Sequence, residues 1–187
     1  MKRIIALILC LCFSFTLCAC GEKEEKVEKY GVDVNYYAKL GQIPEVEYKL
    51  GADVDKIIEA LDKAEAEYAE ENGHQHGTYN VFEEGERSLL VTSGTNYYFD
   101  TDNKAEGVSY IVNFDASYGF ALDTYSVEIK DALETLGLKS TLREADAEEV
   151  FYIPGAMNLS VMEYAFPKCN IVFVFQEDKL CATAIYK

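Results

Sequence analysis

The spacing of apolar positions predicts two amphipathic helices. Apolar residues recur at three- and four-residue intervals between Val54 and Tyr68, which places them on one side of a helix. Asp53 precedes this stripe as a good N-cap, and Gly73 follows it as a helix terminator. The same pattern predicts a second helix over residues 125–136.

Short apolar or alternating runs, separated by turn residues, predict β-strands after each helix. The predicted strands span residues 78–82, 88–93, 96–100, 108–114, 150–153, 159–165, 170–175 and 180–186. Residues 36–48, which Pro44 interrupts, are expected to pack on the domain or to form a lead-in strand.

The two halves of the chain match at one constant offset in the numbering. Ile57 matches Ile129 and Val108 matches Leu180, and no gap is needed. In a chain that is half apolar, some of these matches arise by chance, so coincidence is the alternative to duplication. We predict an α+β fold of two tandem helix-plus-four-strand repeats, over residues 46–118 and 119–187. Together they would form one antiparallel sheet with the helices on one face.

The charge and the apolar content of the chain exclude some classes of protein. The 187 residues carry 17 Lys+Arg and 33 Asp+Glu, a net charge of -16, which excludes a nucleic-acid binder driven by its own charge. The 14 Tyr and 10 Phe within 49% apolar residues indicate a packed core, not a disordered acidic chain.

The first twenty residues have the pattern of an export signal. Lys2 and Arg3 precede an apolar run that is too short for an ordinary transmembrane helix. The sequence from Leu17 to Cys20 then resembles a bacterial lipobox. The resemblance implies a signal peptide over residues 1–19, diacylglycerol on the Cys20 sulfur, and an extracytoplasmic protein anchored to the bacterial membrane by lipid. The alternatives are ordinary cleavage after Ala19, which gives a secreted protein, and an uncleaved anchor.

Cleavage before Cys20 would make the protein more acidic. It removes Lys2 and Arg3 but no acidic residue, so the net charge changes from -16 to -18. Two acyl chains give stable membrane attachment without a basic patch. Residues 20–45 are expected to contain the lipidated cysteine, a charged flexible tether and the lead-in to the domain. An acidic body on a tether would stand off an anionic membrane surface.

The body also resembles a known fold. The matching features are Leu50–Gly51 leading into the helix stripe, the repeated layout and the lipobox. The chain resembles the tandem β-lactamase-inhibitor-protein-like fold and, more loosely, the small outer-membrane assembly lipoproteins with one such unit. The resemblance covers residues 46–187 and implies a fold, not inhibition, because Asp123 replaces the second glycine and the second half lacks the expected disulfide. PepSY-type repeats are the competing resemblance.

Two cysteines, Cys169 and Cys181, remain after signal removal and lipidation. In the predicted final hairpin, which turns at Glu177–Asp178, Cys169 would lie opposite Tyr186 and Cys181 opposite Val174. The thiols would then be roughly 16 Å apart, beyond the reach of a disulfide. We expect two free, largely buried thiols.

Two polar loops contain residue types that can bind metal ions, but the simpler prediction for each is a loop that binds no metal. His74 and His76 lie close together, but their spacing indicates no third ligand for Zn²⁺ or Cu²⁺. The loop over residues 100–107 departs from a calcium loop at Lys104 and Ala105. We therefore expect no metal site and no cofactor.

The sequence contains no catalytic constellation. It has no GxSxG, Walker or HExxH motif, and nothing selects two carboxylates among 33 acids. We therefore predict no catalytic residues and no enzyme. The leading hypothesis is a lipid-anchored binding module for a protein or peptide. The alternatives are a cell-envelope hydrolase and a metal-binding envelope protein.

The final hairpin suggests where such a partner would bind. Both predicted faces are apolar: one carries Ile171, Phe173, Phe175, Leu180 and Ala182, and the other carries Val172, Val174, Cys181 and Ile185. If helices cover only one face, the other is an open apolar surface. The alternative is that residues 36–48 cover it.

Overall fold

A computed structural model describes residues 33–115, 117–147, 149 and 158–187. Cys20, the predicted signal peptide and the predicted strand over residues 150–153 lie outside the described residues. The helices are α1 (Val34–Leu40), α2 (Val54–Asn72) and α3 (Ser126–Glu134), with a 3₁₀ turn at Lys104–Glu106. The strands are β1 (Tyr79–Glu84), β2 (Arg87–Thr92), β3 (Thr95–Asp100), β4 (Tyr110–Asn113), β5 (Thr141–Glu144), β6 (Leu159–Ala165), β7 (Asn170–Gln176) and β8 (Lys179–Tyr186).

Local sequence signals explain the boundaries of α2. The Asp53 side chain accepts hydrogen bonds from the backbone N–H groups of Asp55 and Lys56, which otherwise lack partners at a helix start. The helix ends at Gly73, whose φ of 74° lies in the left-handed region that glycine adopts readily. The prediction for this helix is confirmed, and α3 is confirmed with slightly narrower bounds.

Two elements differ from the prediction. Residues 34–40 form a helix, which Asp33 caps by accepting from the N–H of Tyr36. Of the two alternatives for residues 36–48, the lead-in strand is therefore wrong and packing on the domain is confirmed. Strand β5 has no counterpart among the predicted strands. Its single apolar residue, Leu142, is 53% exposed, so the strand carries no alternating pattern that the sequence could reveal.

All eight strands form one antiparallel sheet in the order β1-β2-β3-β4-β8-β7-β6-β5. The last strand in the chain, β8, lies inside the sheet and pairs with β4 on one side and β7 on the other. Each half of the described chain thus contributes four neighbouring strands, and β4 and β8 join them. The predicted α+β class and single antiparallel sheet are confirmed.

One face of the sheet carries an aromatic core and contacts α2. The ring of Phe173 lies within 6.0 Å of the rings of Tyr118, Phe120 and Tyr164, measured between centroids. On the same face, Tyr79 donates a hydrogen bond to Asp62 of α2. We call this the helix face.

The segment from α1 onward packs against the helix face. The Cys169 thiol donates to the carbonyl oxygen of Ala38, and the Tyr118 hydroxyl donates to that of Gln42. The ring of Tyr48 contacts that of Tyr97. Residues 36–48 therefore do not cover the opposite face of the final hairpin, so that expectation is wrong.

The opposite face is not an open apolar surface at the final hairpin. Val172, Val174, Ala182 and Ala184 are at most 1% exposed. They form a cluster with side chains that follow the same face across the sheet, including Tyr98, Tyr110, Val112, Leu159 and Val161. Ala145 and Phe114 also pack against this cluster. The expectation of an exposed face here is therefore wrong.

A β-bulge explains why the predicted faces of β8 were partly exchanged. Phe175 pairs with Leu180 as predicted, but Val174 pairs with Ala182, so Cys181 is the extra residue between them. From that point, side chains alternate in the opposite phase. Ala182 therefore joins Val174 on the opposite face, and Ile185 joins Ile171 on the helix face.

Hydrogen bonds before α2 and α3 recur at matching positions of the two halves. Gly51 donates to the carbonyl of Val108, and Asp123 donates to that of Leu180, at 2.7 and 2.9 Å. The reverse bonds, from Val108 to Ala52 and from Leu180 to Thr124, recur as well. In the first half, these bonds connect the residues before α2 to Val108, just before β4. In the second half, they connect the residues before α3 to Leu180, within β8. Residues 141–144 break the pattern, because β5 would correspond to the end of α2.

Candidate functional site

A polar cavity of about 380 Å³ lies beside the opposite face, between β2 and the turn that follows β5. Three basic side chains line it: Arg87, Arg143 and Lys187. The sequence contains three arginines, and Arg3 belongs to the predicted signal peptide. Both arginines of the body therefore lie at one cavity.

Arg143 is fixed by two carboxylates. Its Nη1 and Nη2 atoms each lie 2.7 Å from an oxygen of Glu149, and Nη2 also lies 3.1 Å from an oxygen of Glu163. The hydrogen bonds to Glu149 raise the pKa of Arg143 further above its ordinary value, and Glu163 adds to this effect. The Glu149 side chain is 9% exposed and that of Arg143 is 34% exposed, so the carboxylate of this bidentate pair is largely removed from water and the guanidinium is only partly so.

Asp146 and Glu149 cap the turn between them. The N–H of Asp146 donates to Oε2 of Glu149, and the N–H of Glu149 donates to Oδ1 of Asp146, both at 2.9 Å. This reciprocal arrangement is a capping box. Because Glu149 also holds Arg143, its carboxylate is committed to structure and is a poor candidate for proton transfer.

Stacked tyrosines form the apolar wall of the cavity. The rings of Tyr110 and Tyr186 are 5.2 Å apart and nearly parallel, and Tyr98 contacts Tyr110 edge-on. The Tyr186 hydroxyl donates to Glu163 at 2.9 Å. Burial, together with this carboxylate, raises the pKa of Tyr186 to about 12. The phenol therefore stays protonated at neutral pH and acts as a hydrogen-bond donor.

A second candidate surface is the outer edge of β1. Among the described strands, β1 pairs only with β2. Val81 and Phe82 on this strand are 42% and 55% exposed, although adjacent residues of a strand point to opposite faces. The edge therefore presents apolar side chains on both faces, next to backbone groups that have no neighbouring strand.

The loop with His74 and His76 packs around an aromatic ring. Both imidazoles contact the ring of Tyr68, at centroid distances of 5.7 and 5.0 Å. The Glu65 carboxylate accepts from the backbone N–H groups of His76, Gly77 and Thr78. The hydrogen bond from Gly77, with those from His76 and Thr78, holds the pKa of Glu65 below its ordinary value. The loop is thus built by side chains of α2.

The loop over residues 100–107 is also held by its own side chains. Asp100 accepts from the N–H groups of Asp102 and Asn103, and Asn103 donates to Glu106. Across residues 33–115, 117–147, 149 and 158–187, no three His, Cys, Asp or Glu side chains are grouped so as to hold a metal ion.

Both body cysteines are free, as predicted. Cys169 is 3% exposed and contacts α1, whereas Cys181 is half-buried at the bulge, with its thiol 3.4 Å from the carbonyl oxygen of Val174. Burial raises the pKa of both thiols. They therefore behave as weakly reactive core residues.

The residues of the cavity belong to no site predicted from the sequence. Asp146 and Glu149 have the three-residue spacing of a capping box, which was a local signal for their turn. The scarcity of arginine in the body was a second signal. The contact of Arg143 with Glu163, across the β5–β6 pair, could be known only from strand pairing.

Comparisons with known proteins returned no relative. No family profile matches the chain, and neither a curated protein nor a solved structure matches it. Within the described part of the chain, no helix is long and apolar enough to cross a membrane.

Proposed function

We propose that this chain is a lipid-anchored, extracytoplasmic binding module whose β1 edge receives an extended segment of a partner protein. The observation that carries the proposal is the exposure of Val81 and Phe82 on the two faces of an edge strand. Natural sheets usually protect such edges with charge, proline or a covering element, because an open edge templates further pairing. In β1 the charged residues are confined to its last two positions, Glu83 and Glu84.

The geometry suits strand addition. Every second residue of β1 directs its backbone N–H and C=O groups away from β2, so an incoming strand can form main-chain hydrogen bonds. Val81 and Phe82 would then supply side-chain contacts on either side of the added strand. This proposal replaces the final hairpin with the β1 edge as the contact surface.

Charge indicates the chemistry of the partner. The predicted mature body has a net charge of -18, and Asp62 and Glu65 of α2 lie beside the start of β1. A second copy of this chain would be repelled, whereas a partner segment with Lys or Arg would be attracted. We therefore propose a basic, extended segment of another envelope protein.

The binding surface is tested with residues 21–187 immobilised and exposed to an envelope extract, with captured proteins quantified by mass spectrometry. The double variant Val81→Lys/Phe82→Lys should lose the captured partner. The matched control is Leu142→Lys, which adds a cation at the exposed apolar residue of the other edge strand, β5. Equal capture by the Val81/Phe82 variant, or loss only in the Leu142 variant, would refute the β1 edge.

The lipid anchor is tested separately in cells fed radiolabelled palmitate. Cys20→Ala should abolish labelling and release the protein from the membrane fraction, whereas Cys18→Ala should retain both. Persistent labelling of the Cys20 variant would exclude lipidation at this residue.

We further propose that the two halves arose by duplication, each a helix followed by four strands. The support is the paired hydrogen bonds of Gly51 and Asp123, together with the equivalent starts of α2 and α3. If each half retains the stability of an ancestral unit, a linked pair of two copies of residues 46–118 should fold. Failure of that chain to show cooperative unfolding would count against interchangeable halves.

A further inference from the structure

We propose that the cavity beside the stacked tyrosines binds a small planar molecule that carries an oxyanion, either a carboxylate or a phosphate. This site is distinct from the β1 edge, and the proposal does not depend on strand addition there. It rests on the charge, the wall and the size of the cavity.

The charge of the cavity differs from that of the rest of the molecule. Arg87, Arg143 and Lys187 line it beside Asp146 and Glu149, and Glu163 also contacts Arg143. The formal charges of these six side chains balance, whereas the chain as a whole has a net charge of -16. An anion would therefore meet less repulsion at the cavity than over the rest of the acidic surface.

The roles of the three cations differ. Both terminal nitrogens of Arg143 already donate to carboxylates, so this guanidinium forms a rigid floor. Arg87 and Lys187 are exposed side chains at the mouth. A guanidinium and an ammonium together suit an oxyanion, because the planar fork of arginine matches its oxygens and lysine adds a mobile charge.

The remaining walls favour a planar body on the ligand. The parallel rings of Tyr110 and Tyr186 provide an aromatic surface, and Ser109 adds a hydroxyl to the lining. A volume of about 380 Å³ falls at the lower end of the range for small-molecule sites. The site therefore fits one small ring with one anionic group.

The floor of this cavity is preorganised. Glu163 holds both Arg143 and the Tyr186 hydroxyl, at 3.1 and 2.9 Å, so the basic floor and the aromatic wall are fixed to one carboxylate. Ordering these side chains is already accomplished before a ligand arrives, which lowers the entropic cost of binding.

The experiment titrates residues 21–187 with benzoate and with phenyl phosphate, followed by NMR chemical shifts. Benzamide and phenol serve as neutral ligands of the same shape. At least one anion should bind with a dissociation constant in the low millimolar range, with shifts at Tyr110 and Tyr186, and its neutral partner should not. Stronger binding of one anion identifies the oxyanion that the site prefers.

The variants Arg87→Gln and Lys187→Gln should each weaken the anion about tenfold, which corresponds to about 1.4 kcal/mol. Both side chains are exposed, so the fold should persist, and unchanged circular dichroism checks this. Lys56→Gln is the control, because it removes an exposed cation that does not line the cavity. The proposal is overturned by no shift at about 10 mM of either anion, by equal binding of the neutral ligands, or by unchanged binding in both cavity variants.

Discussion

Asp123 occupies a backbone conformation that suits glycine better. Its φ is 66°, in the left-handed region, and Gly51 adopts φ 75° at the matching position of the first half. Both residues donate the hydrogen bond that ties a helix start to the sheet. A side chain in this region is strained by the contact of Cβ with the backbone.

We therefore expect Asp123→Gly to raise the free energy of unfolding by about 0.5–1 kcal/mol, since the released strain outweighs the added freedom of the unfolded chain. Urea denaturation measures the change. Gly51→Ala is the reciprocal variant and should lower stability by about 1 kcal/mol. A less stable Asp123→Gly chain would show that the carboxylate makes a stabilising contact that outweighs the strain.

Tyr97 makes stability sensitive to alkaline pH. It is 3% exposed, and burial raises its pKa to about 12. The unfolded chain releases the phenolic proton near pH 10, while the folded chain retains it. Stability from this group is therefore complete below about pH 10 and is lost as pH rises towards 12.

Between about pH 10 and about pH 12, the free energy of unfolding of the wild type should fall by about 2 kcal/mol more than that of Tyr97→Phe. The measurement is urea denaturation at several pH values. Tyr36→Phe, which alters a 54% exposed ring, is the control and should follow the wild type. Parallel pH curves for wild type and Tyr97→Phe would contradict the assignment.

At the scale of elements, α2 organises the loop that precedes β1. The Glu65 carboxylate accepts from three consecutive backbone N–H groups, at His76, Gly77 and Thr78. These bonds hold the loop that carries both histidines. Because they also stabilise the ionised carboxylate, they weaken when Glu65 is protonated.

Amide hydrogen exchange at His76, Gly77 and Thr78 should therefore accelerate in Glu65→Ala. In the wild type, these amides should stay protected as pH falls until it drops through the lowered pKa of Glu65. Glu67→Ala is the control, since this exposed residue pairs with Lys63 on the helix surface. If these amides exchange equally slowly in Glu65→Ala and in the wild type, the loop does not depend on the Glu65 carboxylate for its structure.

Elements that depend on contacts between residues close in sequence could be predicted, whereas elements that depend on contacts between distant strands could not. The boundaries of α2 depend on Asp53 and Gly73, which lie in the element itself, and the sequence therefore revealed them. Strand β5 depends on pairing with β6, because its own residues have almost no apolar pattern. The faces of β8 changed at Cys181, where a bulge is decided by the fit between two strands.

The same reasoning applies to the candidate site. Val81 and Phe82 were recognised as strand residues, but their exposure depends on the position of β1 at the end of the sheet order. The cavity joins residues from β2, β4, β5, β8 and the turn after β5. These residues come together because of the order of the strands in the sheet. The pattern of apolar and polar residues within each strand does not determine that order.

At the scale of the whole molecule, Asp33–Lys187 form one compact unit. The segment before α2 belongs to its core, since Ala38 and Ile43 are fully buried and Val46 is 4% exposed. A chain that begins at Asp33 should therefore melt at the same temperature as one that begins at Gly21.

A chain that begins at Gly51 should be less stable, because it loses these three apolar side chains and the partner of the Cys169 thiol. Their burial contributes about 3 kcal/mol or more, so the melting temperature should fall by roughly 10 °C. Differential scanning calorimetry compares the three chains. A lower melting temperature for the Asp33 chain would show that residues 21–32 contribute to the fold.

The position of β8 also constrains when the protein can fold. This strand joins β4 to β7, so the two halves of the sheet remain unconnected until residues near 186 are available. During synthesis from the amino end, the joining strand emerges after the other seven described strands. If the chain is exported as we propose, it would cross a translocation channel before its sheet closes. A premature stop before β8 would leave β4 and β7 as two uncovered edges prone to aggregation.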